Sequence, residues 1–248
     1  IILMAALIIS VASVQAQKSQ VIAHRGYWKT AGSAQNSITS LQKADSIHCY
    51  GSEFDVWLAK DNKLVVNHDP VYKMKYMEYS KGDALTGLKL SNGENLPSLQ
   101  KYLEAGKKCN TKLILELKAH NSKKRETKAV QEILAMVKKM GLEDRMEYIT
   151  FSLHAMKEFI RLAPAGTPVF YLNGELSPKE LKDLGAAGLD YHMGVIKKHP
   201  EWIKEAHDLG LKVNVWTVDQ AEDMKWLIDQ KVDFITTNEP IVAQDMLK

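Results

Sequence analysis

Nine short runs rich in β-branched, aliphatic and aromatic residues recur along the chain, and most are set apart by amphipathic helical patterns rather than tight turns. They cover 21–23, 51–58, 64–67, 113–117, 148–151, 169–172, 189–193, 213–218 and 234–237. Helical stretches such as 128–140 and 221–230 fill the gaps, and Gly141, Gly166, Gly188 and Gly210 read as helix ends or turns. Strands that alternate with helices demand a parallel sheet with helical crossovers.

One pair of runs breaks this pattern. Only Ala59-Lys60-Asp61-Asn62-Lys63 separates the second from the third, far less than a parallel crossover needs. These two must form an antiparallel hairpin. Asp61-Asn62 suits a two-residue turn, since both residue types tolerate positive φ. Lys60 then faces Lys63 and, continuing the pairing, Asp55 faces His68, with Glu53 on the same face two residues earlier. Taken as an extension of strand 2 beyond the barrel rim, the hairpin leaves eight parallel strands. The expected fold class is α/β, a (β/α)8 barrel over 18–248, with a small insertion at 69–96 after the hairpin. An open doubly wound sheet is the alternative, disfavoured because no Gly-rich phosphate loop follows the first strand.

The first 17 residues are excluded from that fold. Residues 1–14 are apolar apart from two serines, and no charge appears before Lys18. The run is shorter than the roughly 20 residues that span a bilayer. It fits the apolar part of a secretory signal, N-terminally incomplete, with Val14-Gln15-Ala16 as the small-residue pattern before a cut at Gln17. Export to the periplasm or outside the cell is expected. No cysteine follows the run, so no lipid anchor and no stable membrane insertion are expected. A formal charge of +3, from 33 basic and 30 acidic residues, is too small and too scattered to suggest nucleic acid. Cys49 and Cys109 form neither a zinc pattern nor a redox pair.

In a barrel of this kind, chemistry sits at the C-terminal ends of the strands. Reading the polar residues there gives His24-Arg25-Gly26 after strand one and Glu53 and Asp55 on strand two. His68-Asp69 return on its hairpin. Glu116 and Lys118 stand two apart on the next barrel strand, Trp216 on strand seven, and Asn238-Glu239-Pro240 after strand eight. Glu116 lies inside Leu113-Ile114-Leu115-Glu116-Leu117. A charge in an apolar strand is costly unless paired or metal-bound. A buried Glu116–Lys118 or Glu53–Arg25 ion pair is the structural alternative to a site. Three carboxylates at one end suit a hard divalent cation, Ca²⁺ or Mg²⁺, better than zinc.

The runs VIAHRGYW, AQNS, EFDVWLAKDNKLVVNHDP, LELK, VNVWTVD and ITTNEP, in that order from Val21 to Pro240, resemble the glycerophosphodiester phosphodiesterases. The resemblance implies a (β/α)8 barrel that hydrolyses a small-molecule glycerophosphodiester to sn-glycerol 3-phosphate and an alcohol. It implies Glu53, Asp55 and Glu116 as ligands of one divalent cation and His24 and His68 as the general acid/base pair. Arg25 and Lys118 match phosphate contacts, and Trp216 an aromatic substrate-site residue. Two departures stand out. Gln35 occupies a position where the family usually carries Glu, and Asn238 one where Asp is common. A lysophospholipase D-type phosphodiesterase and a catalytically weakened phosphodiester-binding protein are the alternative functions.

Overall fold

A computed structural model of the chain describes residues 18–248; the segment 1–17, read above as an export signal, lies outside the described residues. In chain order the first half runs β1 (Gln20–Ala23), α1 (Ile38–Ser46), β2 (Gly51–Leu58), β3 (Leu64–Val66), β4 (Val71–Tyr72), β5 (Lys75–Tyr76), α2 (Gly82–Thr86), α3 (Leu99–Gly106), β6 (Lys112–Leu117) and α4 (Lys123–Met140). The second half follows as β7 (Met146–Thr150), α5 (Leu153–Leu162), β8 (Val169–Tyr171), α6 (Pro178–Leu184), β9 (Gly188–His192), α7 (Met193–Lys198), α8 (Glu201–Asp208), β10 (Lys212–Trp216), α9 (Ala221–Asp229), β11 (Phe234–Thr237) and α10 (Pro240–Met246).

All nine expected runs are strands. Eight of them pair in parallel around a closed ring, β1-β2-β6-β7-β8-β9-β10-β11, with β11 returning to β1. This is a (β/α)8 barrel, and closure removes every sheet edge except those bearing the hairpin. Alternate residues of each strand serve two cores. Leu113, Leu115 and Leu117 pack outward with Val130, Ile133 and Phe159 of the helices. Ile22, Ile114, Ile149, Phe170 and Phe234 fill the barrel interior. Gly188, read from the sequence as a turn, opens β9 instead. A Cβ there would lie 2.0 Å from the Lys212 carbonyl oxygen, so glycine is what lets β9 and β10 pair at this point.

The hairpin exists, but its register differs by one residue from the expected one. Val56 pairs with Val66, Trp57 with Val65 and Leu58 with Leu64. Asp55 therefore meets Asn67, whose N–H donates to the Asp55 carbonyl at 3.0 Å. The turn is the cause. Ala59 N–H donates to Lys63 O (2.8 Å) and Asn62 stands at φ 65°, a three-residue loop ending in a left-handed residue rather than a two-residue turn. Arg125, in the first turn of α4, reinforces this loop: its guanidinium donates to Asn62 Oδ1 and to the carbonyls of Leu58 and Ala59.

The insertion at 69–96 folds as the β4–β5 hairpin and α2. Its Met77, Leu85, Leu90 and Leu96 form a small apolar cluster against Trp57 and Val65. It is packed onto the strand 2 hairpin, at the C-terminal rim.

Candidate active site

The polar residues of β1 arrive through a tight turn. Arg25 and Gly26 both have positive φ, 55° and 75°. A Cβ on Gly26 would sit 2.4 Å from Ser40 Oγ, so only glycine lets the turn close on α1. The turn carries the Arg25 N–H to Glu53 Oε2 at 2.8 Å and leaves His24 Nε2 4.0 Å from that oxygen.

Strand register assembles the acidic residues. Phe54, Val56 and Leu58 face the outer core, so Glu53 and Asp55 face inward. Asp55 stands beside Glu116 in the β2–β6 ladder. Glu53, Asp55 and Glu116 are all buried, and each offers a carboxylate oxygen within 4.8 Å of the others'. Asn36 clamps Asp55 twice: its Nδ2 donates to Oδ2 (2.8 Å) and its Oδ1 accepts the Asp55 N–H (3.1 Å). Lys118 Nζ lies 2.7 Å from Glu116 Oε1 and 3.2 Å from Asp55 Oδ1, and Arg25 Nε lies 3.7 Å from Asp55 Oδ2. The Glu116–Lys118 pair weighed as a structural alternative is thus real, but it belongs to a larger cluster.

Two cations face three buried carboxylates, and the charges sort accordingly. Burial works against ionisation of Asp55, but Lys118, His68 and Arg25 outweigh it and hold that carboxyl at about 2. Burial, with repulsion from Asp55, pushes Glu116 up to about 7 and Glu53 well above the carboxylate range. Glu53 Oε1 is buried and has no hydrogen-bond partner. A buried carboxylate oxygen without a donor is destabilising unless a cation takes it. The residues therefore fit a divalent ion, and an all-oxygen set favours a hard one.

The neighbours of His24 determine its tautomer. Trp28 Nε1, which can only donate, lies 2.9 Å from Asn238 Oδ1. Asn238 Nδ2 donates to Asp219 Oδ2 at 2.8 Å. These two contacts orient the amide, so its oxygen is the atom 2.8 Å from His24 Nδ1. An amide oxygen only accepts; Nδ1 therefore carries the proton, and Nε2 of the neutral ring presents a lone pair to the site. Burial, aided by the Arg25 charge, lowers the His24 pKa to about 4. Asn238, one of the two departures noted in the sequence, thus bears directly on the histidine.

His68 lies beyond the end of β3, so the shifted register does not bury it elsewhere. Asn67 Nδ2 donates to the Asp69 carbonyl (2.7 Å) and Trp57 Nε1 to the His68 carbonyl (3.2 Å), which pins the loop. His68 Nδ1 faces the Asp69 carboxylate at 2.8 Å. Gln35 Oε1 accepts from Arg25 Nη1 at 2.7 Å, so the neutral substitute still holds the arginine.

A cavity of about 180 Å³ opens over these groups. His24, Arg25, Glu53, His68 and Glu116 line one side; Ile149, Phe151, Leu172 and Trp216 line the other, with Thr217 and Thr236. Asp55 lies behind this lining. Trp216 is fixed by Nε1 donating to the Asp190 carbonyl (2.9 Å) and by an edge contact with Phe151 at 5.6 Å. His192 caps α7 and packs edge-on against Trp216. At the end of β8, Tyr171 and Asn173 both donate to the Glu175 carboxylate. His120 is half-buried and accepts the Leu58 N–H through Nε2.

Asp190 also lines the cavity and was missed, although it carries the same signal as Glu116: an acid within an apolar strand. Its Oδ1 is buried with no partner, and burial raises its carboxyl from 3.8 to about 8. The folded chain keeps a proton there that the unfolded chain releases. This side chain's effect on stability is therefore neutral below about pH 4 and grows unfavourable as pH rises toward 8. Asp190→Asn is expected to stabilise the fold at pH 7 by on the order of 3 kcal/mol, about 10 °C in Tm, with little change at pH 4. Melting curves at the two pH values test this; equal shifts at both would show that Asp190 holds no proton.

The sequence model of the Glycerophosphoryl diester phosphodiesterase family matches residues 24–242. A glycerophosphodiester phosphodiesterase structure from Parabacteroides distasonis ATCC 8503 is 52% identical, with a TM-score of 0.91, over 93% of this chain and 97% of that one. A glycerophosphodiester phosphodiesterase of Caldanaerobacter subterraneus subsp. tengcongensis is 27% identical over 90% of this chain and 95% of its own length. A phosphodiesterase of Oleispira antarctica, solved in complex with the product sn-glycerol-3-phosphate, shares the fold at 23% identity and a TM-score of 0.78, over 92% of this chain and 96% of that one.

Proposed function

The chain belongs to the glycerophosphoryl diester phosphodiesterase family, and from that premise we propose that it hydrolyses glycerophosphodiesters to sn-glycerol 3-phosphate and an alcohol, with His24 as general base and His68 as general acid. The observation that carries the reading is the convergence of two differently partnered histidines on one cavity beside a buried three-carboxylate cluster. The glycerol phosphate product bound to the Oleispira antarctica protein supports the product assignment.

Glu53, Asp55 and Glu116 would hold one divalent cation, Ca²⁺ or Mg²⁺, which when bound supplies Lewis-acid polarisation of the phosphoryl oxygens. The remaining work belongs to side chains. His24, with the proton on Nδ1, has its Nε2 lone pair free to take the proton of an attacking water or substrate hydroxyl. His68, backed by the Asp69 carboxylate, can carry a proton on Nε2 and deliver it to the leaving alkoxide. Lys118 donates to Asp55 Oδ1 and pairs by charge with Glu116 Oε1 at 2.7 Å, which leaves N–H capacity for a phosphate oxygen. Arg25 is held at Nη1 by a neutral amide and lies 3.7 Å through Nε from Asp55, so Nη2 is the part of its fork that remains for the anionic substrate. Trp216 and Phe151 form the apolar wall against which the glycerol carbons would rest.

The test is direct. Purified protein with added Ca²⁺ or Mg²⁺ is expected to turn over glycerophosphocholine, with phosphorus NMR identifying sn-glycerol 3-phosphate. Faster turnover of lysophosphatidylcholine would make it a lysophospholipase D-type enzyme, and no turnover of either would leave a phosphodiester-binding protein. The apolar run at 1–14 supports export, which fractionation of cells expressing the full chain would test.

A further inference from the structure

The insertion carries a feature that hydrolysis of a soluble diester does not use. The β4–β5 hairpin projects from the C-terminal rim, beginning three residues after His68. Its inner side is anchored: Met77 is fully buried in the small apolar cluster and Tyr72 packs against it. Its outer side is apolar and open. Met74 at the tip is 93% exposed, and Val71, Tyr76 and Tyr79 are 37%, 57% and 62% exposed. These are four of the six exposed large hydrophobics among the described residues.

The turn that presents Met74 is strained. Lys73 and Met74 both have positive φ, 46° and 62°, the geometry of a turn in which glycine or asparagine is the usual occupant. Here the chain places a lysine and a methionine instead. Lys73 and Lys75 flank the apolar tip; neither forms an ion pair among the described residues, and Lys73 Nζ lies over the Tyr72 ring at 5.6 Å. Of the nearby acids, Glu78 is turned back to accept the Asn121 N–H at 3.1 Å and Asp69 faces His68 Nδ1 at 2.8 Å. The ordering is an aliphatic tip, tyrosines behind it and unpaired lysines beside it. That gradient matches a water–lipid boundary, where alkyl groups enter, aromatic rings settle at headgroup level and lysines meet anionic phosphates.

We propose that this hairpin docks the protein peripherally on an anionic phospholipid bilayer, holding the mouth of the site at headgroup level. The partner is the bilayer surface. Nucleic acid fits less well, because the tip residue is a methionine and the exposed Tyr76 and Tyr79 rings pack edge-on against each other at 6.2 Å rather than standing as separate stacking platforms. The inference does not depend on the reaction, since partition onto vesicles is read without catalysis.

The experiment is co-sedimentation of residues 18–248 with vesicles of phosphatidylcholine alone and of phosphatidylcholine mixed with phosphatidylglycerol. Partition onto the mixed vesicles is expected, weakening as salt is added. Met74→Asp should reduce it about tenfold or more, and Lys73→Glu with Lys75→Glu by at least that much, at about fivefold per lysine charge. Both variants should keep the parental melting curve and the parental rate on a water-soluble glycerophosphodiester. Equal partition onto both vesicle types, or variants that bind as the parent does, would overturn the proposal. So would a single-stranded oligonucleotide, or a second copy of the chain, bound in place of vesicles and lost in Met74→Asp. Vesicle binding without hydrolysis would overturn the catalytic reading and leave this one intact.

Discussion

Replacing His24 or His68 with alanine is expected to lower turnover of glycerophosphocholine about 10²-fold or more while leaving the melting curve unchanged. Both side chains face the cavity, so neither removal opens a hole in a core. The two losses should differ in kind. His24 has an amide oxygen behind Nδ1 and a bare Nε2, which suits proton removal from the nucleophile. His68 has the Asp69 carboxylate behind Nδ1, which suits proton donation. A substrate whose leaving group is p-nitrophenolate needs little protonation. With it, His68→Ala should recover most of its rate, whereas His24→Ala should stay impaired. The opposite pattern would exchange the roles, and undiminished turnover in either variant would remove that histidine from the mechanism.

Stripping divalent ions with a chelator should abolish turnover and lower the Tm, and added Ca²⁺ or Mg²⁺ should restore both. An ion at a hundred times its Kd stabilises the folded chain by about 2.7 kcal/mol, on the order of 8 °C for a chain of this size. The carboxylate oxygens of Glu53, Asp55 and Glu116, within 4.8 Å of one another, and the unpartnered Glu53 Oε1 account for that dependence. Glu116→Gln preserves the shape of the side chain and removes one of the three carboxyl groups that would hold the ion. It should lose most of the ion-dependent rise in Tm as well as most of the rate. If calorimetric titration gave this variant the parental ion affinity, Glu116 would not be a ligand.

Much of this architecture was legible in the residues. Short β-rich runs located all nine strands, because a strand buried on both faces leaves a short continuous apolar run whatever its neighbours. The five-residue gap at 59–63 forced the hairpin, since no parallel connection is that short. Glu116 within an apolar strand announced the site through the cost of burying a charge. Asp190 carried the same signal at a weaker contrast, in a strand that also holds a glycine and a histidine.

What the chain order left open was lateral. Whether Asp55 faces Asn67 or His68 depended on Asn62 adopting a left-handed conformation, a local choice that three residues of similar turn propensity do not settle by themselves. The approach of Asn238 to His24, from the opposite end of the sequence, came from barrel closure between β1 and β11. Residue types and their period thus determined the strands, the barrel and the list of reactive groups, because these follow from local propensity and burial. Only the tertiary structure decided which groups touch, and with them the tautomer of His24 and the charge balance of the acidic cluster. Contacts between distant segments are set by register and ring closure, which no local stretch of sequence encodes.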